Sequence, residues 1–96
     1  MYGIINHFVA HPGQRDALAA AMTSDEGPMP GRRSFVLMRD LQDSDVLWLT
    51  EVWETKAHWQ ASVERPGVAA SIEVAAPLVK DWGQPVETEV VASLKD

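Results

Sequence analysis

Between Val46 and Trp53 the side chains of an extended strand alternate so that Val46, Trp48, Thr50 and Val52 share one side while Leu47, Leu49, Glu51 and Trp53 share the other. Both sides carry large apolar groups. Such a strand must be covered on both faces, and a chain of 96 residues supplies helices for only one of them. The expected second cover is another copy of the protein. The same strand runs directly into a helix, and the stretch from Trp48 to Trp59 carries three of the four tryptophans.

The length predicts one domain spanning residues 1–96, of a size that buries roughly 60 to 65% of its unfolded surface and gains from oligomerisation. Eight basic against 14 acidic residues give a net charge of -6, which repels phosphate backbones and anionic lipid surfaces. Nucleic-acid and membrane partners are therefore set aside. No apolar run approaches the roughly 20 residues of a membrane span, and the beginning of the chain lacks the pattern of a signal peptide. With zero cysteines there is no disulfide framework and no thiolate chemistry, and the expected location is the cytoplasm.

Tyr2 to Ala10 reads as a first strand, closed by His11-Pro12-Gly13. Gln14 to Met22 is a short helix whose face is mostly alanine, with Leu18 and Met22 one turn apart. Ser24 to Gly31 combines turn formers and acids and reads as a loop. Ser34 to Asp40 is a second strand, joined through Gln42-Asp43-Ser44-Asp45 to the third, Val46 to Trp53. Thr55 is placed to cap a helix from Lys56 to Glu64, and Pro66 opens another with Val68, Ile72, Ala75 and Val79 at helical spacing. Pro77 breaks or bends it. Val86 to Leu94 is the fourth strand. The order β-α-β-β-α-β is that of an α+β, ferredoxin-like plait with a four-stranded antiparallel sheet, one face of which lacks helices.

Three histidines raise the question of a metal. His7 and His11 are separated by four extended residues, about 13 Å, too far to share one ion, and no HxxxH helix exists. No metal site is expected. No Gly-x-Ser-x-Gly turn or phosphate-cradling glycine loop is present either. Asn6, an amide within an otherwise apolar strand, bonds either to neighbouring backbone or water or to a ligand. His58 and Ser62 share a face of the second helix, which lines one end of a cavity or meets solvent. Trp48, Trp53 and Trp82 form either the wall of a pocket for a flat substrate or part of the core. Arg32, Arg33 and Arg39 flank the second strand, where they meet a phenolate or carboxylate or remain solvated.

Pro30-Gly31, the run Leu-Thr-Glu-Val-Trp-Glu at 49 to 54, Lys56-Ala57-His58, and Ser62 through Pro66-Gly67-Val68 together resemble the antibiotic biosynthesis monooxygenase domain of the dimeric α/β-barrel superfamily. The resemblance extends from Ile4 to Val91. It implies a homodimer packed through its sheet faces and a cavity between the sheet and helices of each protomer. Members include enzymes that oxidise polycyclic phenols or quinols with dioxygen and no metal or flavin, the substrate itself reducing oxygen. On this reading no cofactor is needed and the partner is a small aromatic substrate. Asn6 and His58 are the expected catalytic residues, and Trp48, Trp53, Ser62, Trp82 and Arg39 the expected substrate-binding ones. Many relatives carry a histidine or tryptophan at the position held here by Ser62, whereas this chain places its histidine one turn earlier. Haem-degrading relatives carry a ligating histidine on the later helix, where this chain reads Ala69-Ala70-Ser71-Ile72-Glu73, so haem degradation is disfavoured. A non-catalytic module that holds a small hydrophobic ligand, for instance in a stress response, is the alternative for the same fold.

Overall fold

The computed structural model describes residues 1–24 and 27–95. Its sheet is built around two long strands, Tyr2–Ala10 (β1) and Val46–Trp53 (β3), paired antiparallel from Tyr2 opposite Trp53 to Val9 opposite Val46. Arg32–Arg39 (β2) lies on the outer side of β3, with a register shift between Arg32 and Ser34. Two short segments, Val79–Asp81 (β4) and Val86–Glu89 (β5), follow one another along the free side of β1. The resulting order, with β1 and β3 in the centre, is the ferredoxin-like one.

Among the described residues three α-helices cover one face. The first, Arg15–Met22 (α1), buries Leu18 and Ala21 and keeps alanines elsewhere, which permits close approach to the sheet. Lys56–Ser62 (α2) begins at Thr55, whose hydroxyl accepts the His58 amide at 3.2 Å, and Pro66–Ala75 (α3) begins on its proline. The alternation of β1 and β3 sends Phe8, Ala10, Leu47 and Leu49 toward these helices, where they join Leu18, Ala21, Ala75 and Val79 in one core. Among the described residues the opposite face carries no helix. On it Ile5, Val36, Met38, Trp48 and Val86 remain between 38 and 55% exposed.

The structure corrects the expected ends of several elements. Pro77 cannot donate the next helical hydrogen bond, so the last helix ends at Ala75 and passes through a 3-10 turn, Ala76–Leu78. Val79 is therefore the first residue of β4, opposite Ala10, rather than the last apolar position of a helix. The final strand stops at Glu89 rather than Leu94: its ladder with β1 runs out at Tyr2 opposite Glu89, and just past it the Val90 amide still donates to the Met1 carbonyl at 3.0 Å. The second helix closes at Ser62, before the expected Glu64. Asp25 and Glu26, within the expected 24–31 loop, lie outside the described residues.

Candidate active site

The inner face of the sheet and the helices do not meet everywhere. Between them lies a cavity of about 580 Å³, floored by Ile4, Asn6 and Phe8 of β1 and by Leu49, Glu51 and Trp53 of β3. Phe35 and Arg32 enter from β2, Trp59 and Ser62 from α2, and Ile72 and Ser71 from α3. Trp82 closes one side from the turn between β4 and β5, its ring edge-on to Phe8 at 6.0 Å. The lining is mainly apolar and aromatic, with a few polar groups set into it, which is the usual make-up of a small-molecule site.

Asn6 is held from behind. Its Oδ1 accepts the backbone amide of His7 at 2.9 Å, and the Trp82-Gly83 turn passes so close that a Cβ at Gly83 would fall onto the carbonyl oxygen of His7. A positive φ of 67° at Gly83 makes that approach possible. Among the described residues the NH₂ group of Asn6 donates to no protein acceptor, yet no buried side-chain polar atom is left without a partner. The group is thus reachable from the cavity.

Glu51 stands on the adjoining strand, with Ile4 and Phe35 as its cross-strand partners. The Trp53 indole donates to its Oε2 at 3.3 Å. Removal from water pushes its carboxyl above the usual range, against the opposing pulls of the Trp53 hydrogen bond and the Arg32 charge. Arg32 donates to the carbonyl of Gly27 at 2.7 Å and places its guanidinium 5.3 Å from the centre of the Phe35 ring. Ser62 is buried and gives its proton to the Trp59 carbonyl at 2.6 Å, so its oxygen offers lone pairs to the cavity.

Of the residues singled out in the sequence, Asn6, Arg32, Trp53, Ser62 and Trp82 meet around this cavity. His58, Trp48 and Arg39 do not line it. His58 sits in the first turn of α2, where its ring packs against Gly31 and its Nδ1 shares a 2.7 Å hydrogen bond with Thr55. The one-turn offset from Ser62 places it toward the end of the helix rather than over the sheet. Trp48 has the opposite parity to Trp53 on β3 and so lies on the helix-free face, 5.0 Å from the His7 ring and bonded through its indole to Asp40 at 2.8 Å. Arg39 is at the far end of β2 in an exposed ion pair with Asp16 at 2.9 Å.

Glu51 is the cavity residue that sequence reading passed over. The signal was a lone carboxylate on the face that otherwise holds Leu47, Leu49 and Trp53. Trp59 also reaches the cavity and packs at 5.8 Å from the Tyr2 ring. Among the described residues no three His, Asp or Glu side chains gather as a metal-ligand set, and no helix is long and apolar enough to cross a membrane.

The fold and cavity can be set beside known proteins. A solved structure from Chloroflexus aurantiacus J-10-fl that bears the name antibiotic biosynthesis monooxygenase is 37% identical, with a TM-score of 0.92 over 98% of this chain and 96% of that one. A Nitrosomonas europaea protein given the same name superimposes with a TM-score of 0.87 at 16% identity, over 94% of this chain and 89% of that one. SnoaB, a cofactor-independent oxygenase from Streptomyces nogalater, shares the fold at 15% identity, with a TM-score of 0.77 over 99% of this chain and 97% of that one. No curated protein matches the chain by sequence. The antibiotic biosynthesis monooxygenase family model matches residues 1–74, which include β1, β3, α2 and the greater part of the cavity wall, and the chain belongs to that family.

Proposed function

We propose that this protein is a cofactor-independent monooxygenase that oxidises an aromatic small molecule of the phenol or quinol type with dioxygen. The observation that carries this reading is the cavity: about 580 Å³, walled by Phe8, Phe35, Trp53, Trp59 and Trp82, with the Asn6 amide and the Glu51 carboxylate set into its floor. A space of that size fits a flat ring system, and the aromatic wall gives it apolar contact. Family membership and the fold shared with SnoaB, named a cofactor-independent oxygenase, support the reaction class.

In this chemistry the substrate is the reductant. An anthrone-type methylene gives up two hydrogens, one oxygen atom joins the carbon as a carbonyl, and the other leaves as water. The protein's share is confinement and orientation, with Asn6 donating its NH₂ to a substrate oxygen as negative charge grows there. Ser62 offers an acceptor at the helical side of the cavity.

The same reading includes a homodimer formed through the helix-free sheet face. Its support is the apolar row on that face, which a second copy would remove from water.

The test is aerobic and anaerobic incubation with a panel of anthrones and hydroquinones, following oxygen uptake and product mass with isotopically labelled dioxygen. One labelled oxygen atom per product molecule is expected. If ligands bind but none yields an oxygen-dependent product, the non-catalytic ligand-binding reading takes its place.

A further inference from the structure

We propose that Glu51 accepts the hydrogen bond of the substrate's hydroxyl and takes its proton, and that the ligand is a flat aromatic carrying a hydroxyl donor and a carbonyl-type acceptor. This rests on the monooxygenase reading for its chemistry, though the recognition it describes does not.

The two polar groups of the cavity floor are complementary. Ile4 lies opposite Glu51 and Asn6 opposite Leu49, so Asn6 and Glu51 are diagonal neighbours on the same face of the β1–β3 pair. Diagonal neighbours stand about 7 to 8 Å apart at the backbone, a span that one small ring system bridges. Asn6 has its oxygen committed to the His7 amide and presents a donor. Glu51 receives one long bond from Trp53, which leaves most of its acceptor capacity toward the cavity. A ligand with one donor and one acceptor satisfies both groups at once, whereas an O-methylated ring leaves the carboxylate unpartnered.

The surroundings suit a base. From β2 only Arg32 brings a charge toward Glu51, and it is also tied to the Gly27 carbonyl. From β1, Tyr2 is the nearby titratable group. Burial and the Glu87 carboxylate push its hydroxyl up to about 12, so it stays protonated, donating to Glu87 at 2.9 Å. Among the described residues the helices contribute no titratable side chain to the cavity wall. Burial raises the basicity of Glu51 and narrows the gap to a phenolic hydroxyl. In the step itself the substrate O–H bond breaks, a carboxylic O–H forms on Glu51, and the electron pair stays on the substrate oxygen. The resulting aryloxide is the electron-rich species that dioxygen, the co-reactant of the proposed reaction, then oxidises.

The experiment compares the wild type with Glu51→Gln and Glu51→Asp. Binding of 2-naphthol and of its methyl ether is read by quenching of tryptophan emission, and oxidation of 1,8-dihydroxyanthrone, which carries both a hydroxyl and a carbonyl, by oxygen uptake across a pH series. Wild type is expected to prefer the naphthol about tenfold or more, a margin of about 1.4 kcal/mol. Glu51→Gln is expected to lose most of that preference, to lower kcat about 100-fold and to lack the acid limb of the pH profile, with partial recovery in Glu51→Asp. An unchanged naphthol-to-ether ratio in Glu51→Gln overturns the proposal, because a residue that merely braces Trp53 would affect both ligands alike. Undiminished oxidation by Glu51→Gln overturns it too, and leaves the monooxygenase reading standing. A collapsed ratio in a protein that oxidises nothing sustains Glu51 as the hydroxyl's acceptor and removes the oxidation instead.

Discussion

The indole N–H of Trp53 lies 3.3 Å from a carboxylate oxygen of Glu51, two positions back on the same face of β3. This bond and the Arg32 charge only partly offset burial, which holds the Glu51 carboxyl above its ordinary value of 4.5. A raised folded-state value fixes the sign of its effect on stability. The favourable contribution is complete below the unfolded value and is lost as pH rises through the folded one. Glu51→Gln removes that dependence. Thermal melts from about pH 4 to about pH 7 should therefore show the variant gaining on the wild type as pH rises. A melting-temperature difference that stays constant over the range would show that burial does not disfavour the charged carboxylate.

Gly83 makes a second prediction. Its φ is positive and a Cβ there meets the His7 carbonyl, whereas Gly13 has a φ of 79° but open space around it. Gly13→Ala should cost about 1 to 2 kcal/mol, the conformational penalty alone. Gly83→Ala adds a backbone clash and should cost more. It should also weaken ligand binding, since the displaced turn carries Trp82 and walls off Asn6. Urea titrations of both variants, with naphthol binding measured alongside, check the order.

The contrast between Trp53 and Trp48 shows what was legible in the sequence. Alternation alone places them on opposite faces of β3, and the structure keeps that separation, so the two could not share one pocket wall. The strand order and the helix-free face were likewise readable, because periodicity and turn residues are local signals. The interrupted last strand was not readable. Val79 has the spacing of a helical core position, and its transfer to β4 depends on pairing with Ala10, 69 positions earlier in the chain. His58 was misleading for a similar reason. Its spacing from Ser62 puts both on one helical face, but a helix that ends at Ser62 carries its first turn out over Gly31. Glu51 escaped notice because an acid in a strand is ordinarily solvated, and only the cavity reveals that this one is not.

Asn6 and His58 can be separated by experiment. Asn6→Ala removes a donor aimed into the cavity, and oxidation of an active anthrone should fall by about 100-fold in kcat. His58→Ala removes a ring that touches Gly31 and Thr55 outside the cavity. It should leave turnover within about twofold and cost about 1 kcal/mol, as for a half-buried position. Steady-state kinetics and denaturation of the two variants give the comparison. Equal losses of turnover would bring the imidazole into the chemistry.

Val36, Thr50, Ile5 and Val86 form a continuous row across all four lanes of the sheet, on the face without helices. Val36 is 47% exposed, and Met38 and Trp48 extend the patch from the neighbouring row. A lysine at position 36 would put a charge into the middle of any sheet-to-sheet contact, where burial without a partner is costly. In the isolated protomer the same lysine projects into water and costs little. Val36→Lys is thus expected to raise the dimer dissociation constant by at least about 100-fold, or about 2.8 kcal/mol. The protomer's intrinsic stability should change by less than about 1 kcal/mol. Sedimentation equilibrium over a concentration series measures the first, and denaturation below the dissociation concentration measures the second. The Trp48 emission supplies an internal reporter, since dimerisation should shift it to shorter wavelength in the wild type alone. A variant that sediments as a dimer at the same concentrations as the wild type would show that the copies meet through some other surface.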